Sequence, residues 1–416
     1  MISLQDIHAA RSRIAAGIVE TPCIAAPRLS EALQATVLLK CETLQRTGSF
    51  KARGALNKIL TLGEQERRRG VIAASAGNHA QGVAFAAARV GIPALIVMPE
   101  LTPLVKVSHT RRWGAEVVLH GEGFDDAVAR ARELQEERGM AFVHAFEDEA
   151  ILAGQGTLGV ELLEQVPGLE VLVVPIGGGG LISGVARAVK ELRPGVRVYG
   201  VQSDAAPSMQ RSFAAGSRIE VPVGRTIAEG ISVKRPGELT FDYIRELVDD
   251  VLLVSELEIE EAVFSLLESQ KLVTEGAGAA TYAALLEGRV PNLSGCTVVA
   301  VLSGANIDLN ILSRLIERAL VRHARFTRLR LVISDRPGSL AGALAIVARC
   351  GASVLRISHN RFFTDSSFWE TEVELTLETR DHAQVDELLR SLRDAGYSRI
   401  EQPDLKLVAA PIQPFG

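Results

Sequence analysis

The chain should fold as two doubly wound α/β lobes followed by a small βαββαβ domain. Three observations say so. From about residue 70, short apolar runs alternate with helical stretches. The same rhythm resumes after a helix around 151–166. Beyond about residue 325 it gives way to the order strand, helix, strand, strand, helix, strand.

In the first set, VIAASA (71–76) precedes HAQGVAFAAARVG, and ALIVMP (94–99) precedes PLVKVSHTRRWG. AEVVLH (115–120) then precedes GFDDAVARARELQEERG, and AFVHAF (141–146) closes the set. Each run is continuous and apolar, as strands covered on both faces are, and each helical stretch ends on glycine. In the second set, VLVVPI (171–176), VRVYGVQ (196–202), VLLVS (251–255) and CTVVAVLS (296–303) read as buried strands. A helix over 256–271 and another after EGAGAA (275–280) cover them, and VLLKCE (37–42) is an earlier strand. The lobe at 53–150 is therefore inserted in a larger one built from 1–52 and 151–322. Their boundary is a natural place for a ligand.

From 325 to 416, RLRLVIS is a strand, PGSLAGALAIVARCG a helix, and ASVLRISHNRF and SFWETEVELTLET two strands. HAQVDELLRSLRDAGY is a second helix and SRIEQPDLKLV a last strand. That order is the ferredoxin-like split βαβ.

Bulk properties narrow the function. At 416 residues the chain is long for one core. Aromatics are only 5% and the net charge is −5, which speaks against a nucleic-acid binder. Arginines at 314, 318, 322, 325, 328 and 330 read as the solvated side of a helix and connector. Cys23, Cys41, Cys296 and Cys350 are scattered without metal-ligand spacing, which predicts neither disulfides nor a zinc site and fits a reducing cytoplasm. The N-terminus reads as an amphipathic helix, and no apolar run approaches the ~20 residues of a membrane span. A soluble cytoplasmic protein is expected.

Four segments carry chemistry. Ser49-Phe50-Lys51-Ala52-Arg53-Gly54-Ala55 opens a helix after strand 37–42, with Ser49 as the expected N-cap. Two cations in a first helical turn oppose the macrodipole. Either they are solvated surface cations, or the helix end depresses the lysine's pKa and frees its amine as a nucleophile. Ile176-Gly177-Gly178-Gly179-Gly180-Leu181 joins a strand to a helix, with Leu181, Val185, Ala188 and Leu192 at helical spacing. Glycines there suit close backbone approach to a phosphate at the positive helix end. The run is neither GxGxxG nor a P-loop, so a nicotinamide dehydrogenase is excluded. Ser75-Ala76-Gly77-Asn78-His79 and Ser303-Gly304-Ala305-Asn306 also follow strands, where open α/β sheets place ligands. Asn78 could equally be an ordinary N-cap, and His79 is read as a structural partner without an acid–base role.

SFKARGA, SAGNH, GGGGL and SGAN, in this order, resemble the fold-type II pyridoxal-phosphate (PLP) family, in its threonine/serine dehydratase and serine racemase branch. The resemblance covers about residues 5–322 and implies lobes of the tryptophan-synthase-β kind. It implies Lys51 as the Schiff-base lysine that also removes the substrate's Cα proton. Phe50 would lie against the ring, Asn78 would bond its 3′-oxygen, and Ser303 its pyridine nitrogen. The amides of Gly177, Gly178, Gly179, Gly180 and Leu181 would cradle the phosphate, and the backbone of Gly230 would face the cofactor. Ser75, Ala76, Gly77 and His79 would line the pocket for the substrate carboxylate. A neutral serine at the ring nitrogen favours prompt loss of a β-hydroxyl over a long-lived carbanion.

Two departures matter. Racemases of this branch carry a second serine where this chain has Ala76, so dehydration should dominate over racemisation. Relatives with a divalent-metal site have a glutamate where this chain reads Gln202, and no metal is expected. The last domain, with Asp335-Arg336-Pro337-Gly338-Ser339-Leu340 between strand and helix, resembles an ACT domain. That implies pairing between copies, as a homodimer or homotetramer, and an amino-acid effector, isoleucine or valine. The implied reaction is conversion of L-threonine to 2-oxobutanoate and ammonia, with some activity on L-serine. The rivals are a serine-preferring dehydratase or racemase and, from another class, a non-catalytic amino-acid sensor.

Overall fold

The computed structural model describes residues 1–361, 367–397 and 399–402. The amphipathic N-terminus forms the helix Leu4–Ile14. Ser3 and Asp6 cap it reciprocally, the Asp6 carboxylate accepting the Ser3 amide at 2.8 Å. Ile7, Ala10 and Ile14 bury its apolar stripe.

Strands β1 (Cys23–Ala25) and β2 (Thr36–Cys41) follow. Next, β3 (Val71–Ala74), β4 (Ala94–Met98), β5 (Glu116–Leu119) and β6 (Ala141–Phe142) form an all-parallel sheet ordered β5-β4-β3-β6. Then β7 (Val171–Pro175), β8 (Arg197–Ser203), β9 (Asp250–Val254) and β10 (Thr297–Leu302) complete a six-stranded sheet, β1-β2-β10-β7-β8-β9. Only the β1–β2 pairing in that sheet is antiparallel. The strand β1 escaped the sequence reading because three residues, none of them fully buried, carry no periodicity.

The parallel order positions the site. β10 lies between β2 and β7, with Leu302 level with Cys41. Segments leaving the carboxyl ends of these three strands therefore emerge side by side, although they are far apart in sequence. The helix expected over 256–271 stops at Ser265 and continues as a π-turn, Leu266–Gln270, closed by Lys271 in a left-handed conformation (φ 58°).

Contacts divide the chain after Asp308. The helix Leu309–Arg322, expected with the larger lobe, groups instead with the second unit, where His382 Nε2 meets the Arg322 carbonyl at 3.1 Å. In that unit β11 (Phe326–Ser334), β12 (Ser353–Asn360), β13 (Glu370–Glu378) and β14 (Ile400–Glu401) form an antiparallel sheet ordered β12-β13-β11-β14. With helices Ser339–Arg349 and His382–Asp394 this is the expected βαββαβ arrangement. Leu329, Leu331 and Ile333 alternate inward from β11 onto Ile346, Val347, Leu388 and Leu392. Of the expected last strand, residue 398 and residues from 403 onward lie outside the described residues, as do residues 362–366, where a polar turn is expected from the sequence. Arg328 and Arg330 are not on a helix or connector: they stand on β11, paired across to Glu374 (3.7 Å) and Glu372 (3.3 Å) on β13. Among the described residues, no helix is long and apolar enough to cross a membrane.

Arg53 also departs from expectation. It is not an exposed cation at a helix start but is wholly buried. Its Nε and Nη2 meet the two oxygens of Glu42 at 2.8 and 2.7 Å, and its Nη1 meets Glu161 at 2.8 Å. Buried Lys40 bonds the same Glu161 and donates to the Thr21 carbonyl at 2.6 Å. Burial alone would raise the Glu42 carboxyl, but Arg53 holds it below its ordinary value. Two cations and two anions thus neutralise one another inside the protein. Arg53→Leu would leave Glu42 with only the Thr21 hydroxyl, 2.5 Å away, and one oxygen of Glu161 without its cation. It should cost about 3–5 kcal/mol in denaturant unfolding; a loss under about 1 kcal/mol would show that the cluster is not a structural anchor.

Candidate active site

Lys51 is the first residue of the helix Lys51–Thr61, which the chain reaches from the end of β2 through a short 3₁₀ turn at Glu42–Leu44. The N-cap is Phe50, not Ser49 as expected, and it makes no side-chain cap. The reason is tertiary: Ser49 is drawn into a backbone bridge with Gly304, and the Phe50 amide donates to the Ser303 carbonyl at 3.1 Å. The Ser49 hydroxyl is buried without a protein partner.

The Lys51 ammonium lies 5.1 Å from the Phe50 ring centroid and donates to the Ala145 carbonyl at 3.0 Å. Desolvation pulls its pKa down to about 8, partly offset by the charge of Glu275. Loss of solvation is thus what lowers this amine, at the first position of its helix.

The glycine loop joins β7 to the helix Gly180–Leu192. Gly179 is in the left-handed region (φ 95°), which a side chain would strain. A Cβ on Gly178 would stand 2.3 Å from the Phe146 ring, so this backbone is packed as tightly as glycine allows. Thr240 Oγ1 ties down the Gly178 carbonyl at 2.6 Å from the other side. The first amides of the following helix have no intrahelical acceptor, which makes this turn a natural anion site. Gly230 is brought against the loop, its carbonyl 3.1 Å from where a Gly177 Cβ would be. Buried Ser303 leaves the end of β10 next to these segments.

On the other lobe, Ser75, Ala76 and Gly77 form the turn between β3 and the helix Asn78–Val90, whose cap is Gly77. Ser75 Oγ accepts the Gly77 amide at 3.2 Å, and a Cβ on Gly77 would meet nothing within 4 Å. Gly82 lets this helix close on the lysine helix: its Cβ would be 3.1 Å from the Lys51 backbone. The His79 ring is tied to the Val143 carbonyl at 2.8 Å. Burial, with Lys51 nearby, pushes its pKa down to about 3, so the imidazole stays neutral.

Asn78 is held at both ends. Its Nδ2 donates to Glu275 Oε1 at 2.5 Å, and its Oδ1 accepts from Asn306 Nδ2 at 2.6 Å. Glu275, Phe146, Ala145 and Thr240 were not singled out from the sequence. Asn306 stood in the SGAN motif without a role. The only local hint of Glu275 is an acid placed just before the apolar helix Gly276–Leu286. Burial pushes that acid up to about 7 despite the Asn78 hydrogen bond. Gln202, at the position read for metal binding, has its Oε1 committed to the Met209 and Gln210 amides at 2.8 and 2.9 Å.

A desolvated amine, an amide-lined turn and a buried hydroxyl at a strand end thus converge on one cleft between the two parallel sheets. Residues 14–304 match the family of pyridoxal-phosphate dependent enzymes. The chain belongs to that family. Its relatives include the L-threonine ammonia-lyase of Thermotoga maritima, 47% identical over 397 residues, which cover 95% of this chain and 98% of the relative. The enzyme of the same name from Geobacter sulfurreducens is 48% identical over the same shares. Among solved structures, a T.th. threonine deaminase matches with a TM-score of 0.69 at 45% identity, covering 74% of this chain and 99% of that one. Maize serine racemase matches with a TM-score of 0.73 at 35% identity over 76% and 98%.

As a pyridoxal-phosphate enzyme, the protein has residues that fit the cofactor: an amine that is neutral in part at physiological pH, and a side-chain-free turn for a phosphate. Two outcomes are expected. Gly178→Ala should weaken PLP retention by about tenfold or more, a loss of ~1.4 kcal/mol, whereas Gly195→Ala, where a Cβ meets nothing within 4 Å, should not; equilibrium dialysis measures both. Because only the neutral amine attacks, cofactor uptake by apoprotein should accelerate about tenfold per pH unit below about 8 and level off above it. Stopped-flow absorbance reads that rate, and a flat profile from about pH 6 to 9 would contradict the lowered lysine.

Proposed function

We propose that this chain is an L-threonine ammonia-lyase, converting L-threonine to 2-oxobutanoate and ammonia, with lesser activity on L-serine. The observation that carries this reading is the half-buried, partly neutral Lys51, set in a chain alike along nearly its whole length to enzymes of that name.

Lys51 would hold the cofactor through its amine, and the same amine would take the substrate's Cα proton. The amides of Gly177, Gly178, Gly179, Gly180 and Leu181 would hold the phosphate. Asn78 would bond the 3′-oxygen, and the Ser303 hydroxyl would meet the ring nitrogen. Phe50 would lie against the ring, and the Gly230 backbone would face it. Bound, PLP supplies an electron sink for the Cα–H bond. Ser303 is neutral and does not force the ring nitrogen to stay protonated, which favours prompt departure of the β-hydroxyl.

The turn Ser75-Ala76-Gly77 and His79 line the place of the substrate carboxylate. There the open side of Gly77 leaves room, and the neutral His79 ring holds the turn without exchanging protons. Ala76 has no proton to give, so the substrate's Cα would receive none from the face away from Lys51. The water lost with the β-hydroxyl is regained as ammonia is released, and the sum is threonine to 2-oxobutanoate and ammonia.

The second unit is proposed as an ACT-type sensor in a cytoplasmic homodimer or homotetramer, with isoleucine or valine as effector. The turn Asp335–Leu340 supports this by its shape: Gly338 is left-handed (φ 92°) and caps the helix Ser339–Arg349. Arg361 on the neighbouring strand end holds Asp335 through two nitrogens, each at 3.1 Å.

Steady-state assays with L-threonine and L-serine test the proposal. Threonine should have the higher kcat/KM, and Lys51→Ala should lose at least about 10³-fold. Serine preferred over threonine would move the assignment to a serine dehydratase. A Lys51→Ala rate near wild type would overturn it. Ala76→Ser should gain D-serine formation from L-serine, read by chiral chromatography.

A further inference from the structure

We propose that Glu275 is a positioning residue: its acid group fixes which end of the Asn78 amide faces the cofactor. The inference rests on the cofactor reading given above and deepens it.

An asparagine amide presents an acceptor on one side and donors on the other, and nothing in the residue itself decides which way round it sits. Here its surroundings decide. Asn306 Nδ2 donates to the Thr47 carbonyl at 2.8 Å and to Asn78 Oδ1 at 2.6 Å. Asn78 Nδ2 in turn donates to Glu275 at 2.5 Å. The chain runs with one polarity from Asn306 through Asn78 to the acid. Turning the Asn78 amide over would set oxygen against oxygen at Glu275 and donor against donor at Asn306. Both ends would be half-buried mismatches.

The consequence is specific. One hydrogen of Asn78 Nδ2 is used by Glu275, and the other remains free to donate to an anionic oxygen of a ligand. Without the acid, the amide is held from the Asn306 side only.

Glu275 is itself held for this task. Its amide donates to the Gly304 carbonyl at 3.1 Å, and its carbonyl accepts the Ala279 amide at 3.0 Å in the first turn of Gly276–Leu286. The charged groups that act on it are Lys106, Glu229 and Lys51. Its titration near neutrality does not undo the device, because a protonated acid keeps a carbonyl oxygen that accepts. Acceptor geometry, rather than charge, is what the position requires.

That distinction sets the experiment. Glu275→Gln keeps an acceptor oxygen and removes the charge; Glu275→Leu removes both. Both are prepared as PLP-loaded full-length protein, and the visible absorption of the bound cofactor is titrated with pH. The Gln variant should keep the wild-type band, with the Leu midpoint about one pH unit or more above that of Gln. The direction follows because an amide held only by Asn306 offers its hydrogen less firmly to the cofactor's anionic oxygen, which then holds the neighbouring proton more tightly. Equal midpoints for Gln and Leu would overturn the inference alone. A wild-type protein with no visible band would sink the cofactor reading and this inference with it. If Glu275→Leu does not fold, Asn306→Asp replaces it. An acceptor opposite Asn78 Oδ1 should turn the amide and raise the midpoint likewise, and an unmoved midpoint would be decisive against the proposal.

Discussion

The buried cluster of Arg53, Glu42, Glu161 and Lys40 is the constraint on which the site depends. Lys51 begins a helix that has no side-chain cap to fix its start. Two residues on, Arg53 grips Glu42 at the end of β2 and Glu161 on the helix Glu149–Gln165. An apolar anchor would hold the helix at a distance but not at an angle. A guanidinium fork against a carboxylate fixes both, because two parallel hydrogen bonds admit one orientation. The desolvation of four charges is costly, and replacing all of them with apolar groups could be neutral for stability. What the cluster supplies is placement: Lys51 is set against the Ala145 carbonyl and beside the turn Ser75–Asn78.

Placement then determines chemistry. An amine in water at neutral pH is nearly all ammonium and a poor nucleophile. Packed between the lobes, the same amine loses solvation and its pKa falls to about 8. Parallel strand order does the rest. With β10 between β2 and β7, the lysine segment, Ser303 and the glycine loop share one edge of one sheet, while β3 of the other sheet delivers Asn78 across the cleft. Asn78 reaches over to Glu275 and Asn306, so the polar network at the site joins the two sheets' loops.

Much of this was legible in the sequence. Continuous apolar runs marked β3, β4, β7 and β10 because strands covered on both faces leave that trace, and the glycine and SAGNH turns are contiguous. The misreadings concern contacts between distant residues. Ser49 looks like a cap until Gly304 claims its backbone. Lys51 and Arg53 look like a pair of helix-end cations, yet at 3.6 residues per turn they point roughly 200° apart. One faces the cleft and the other the core, a geometry already implicit in their spacing. Glu275, Phe146 and the Ala145 carbonyl had no comparable trace, since an acid before a helix, an aromatic after a strand and a backbone oxygen acquire meaning only from what they touch. In the second unit, the strand alternation of β11 and β13 marked the sheet, but the same alternation sets Arg330 opposite Glu374 and Arg328 diagonally within reach of it. A reading of the arginines by composition alone missed that pairing.

The central claim is that Lys51, and no other lysine, carries the cofactor. Reduction of PLP-loaded protein with borohydride, followed by peptide mass mapping, tests it most directly. The account predicts a stoichiometric pyridoxyl adduct on the peptide containing Lys51. An adduct located on another lysine such as Lys40 or Lys106, or none on protein that has taken up PLP, would contradict it.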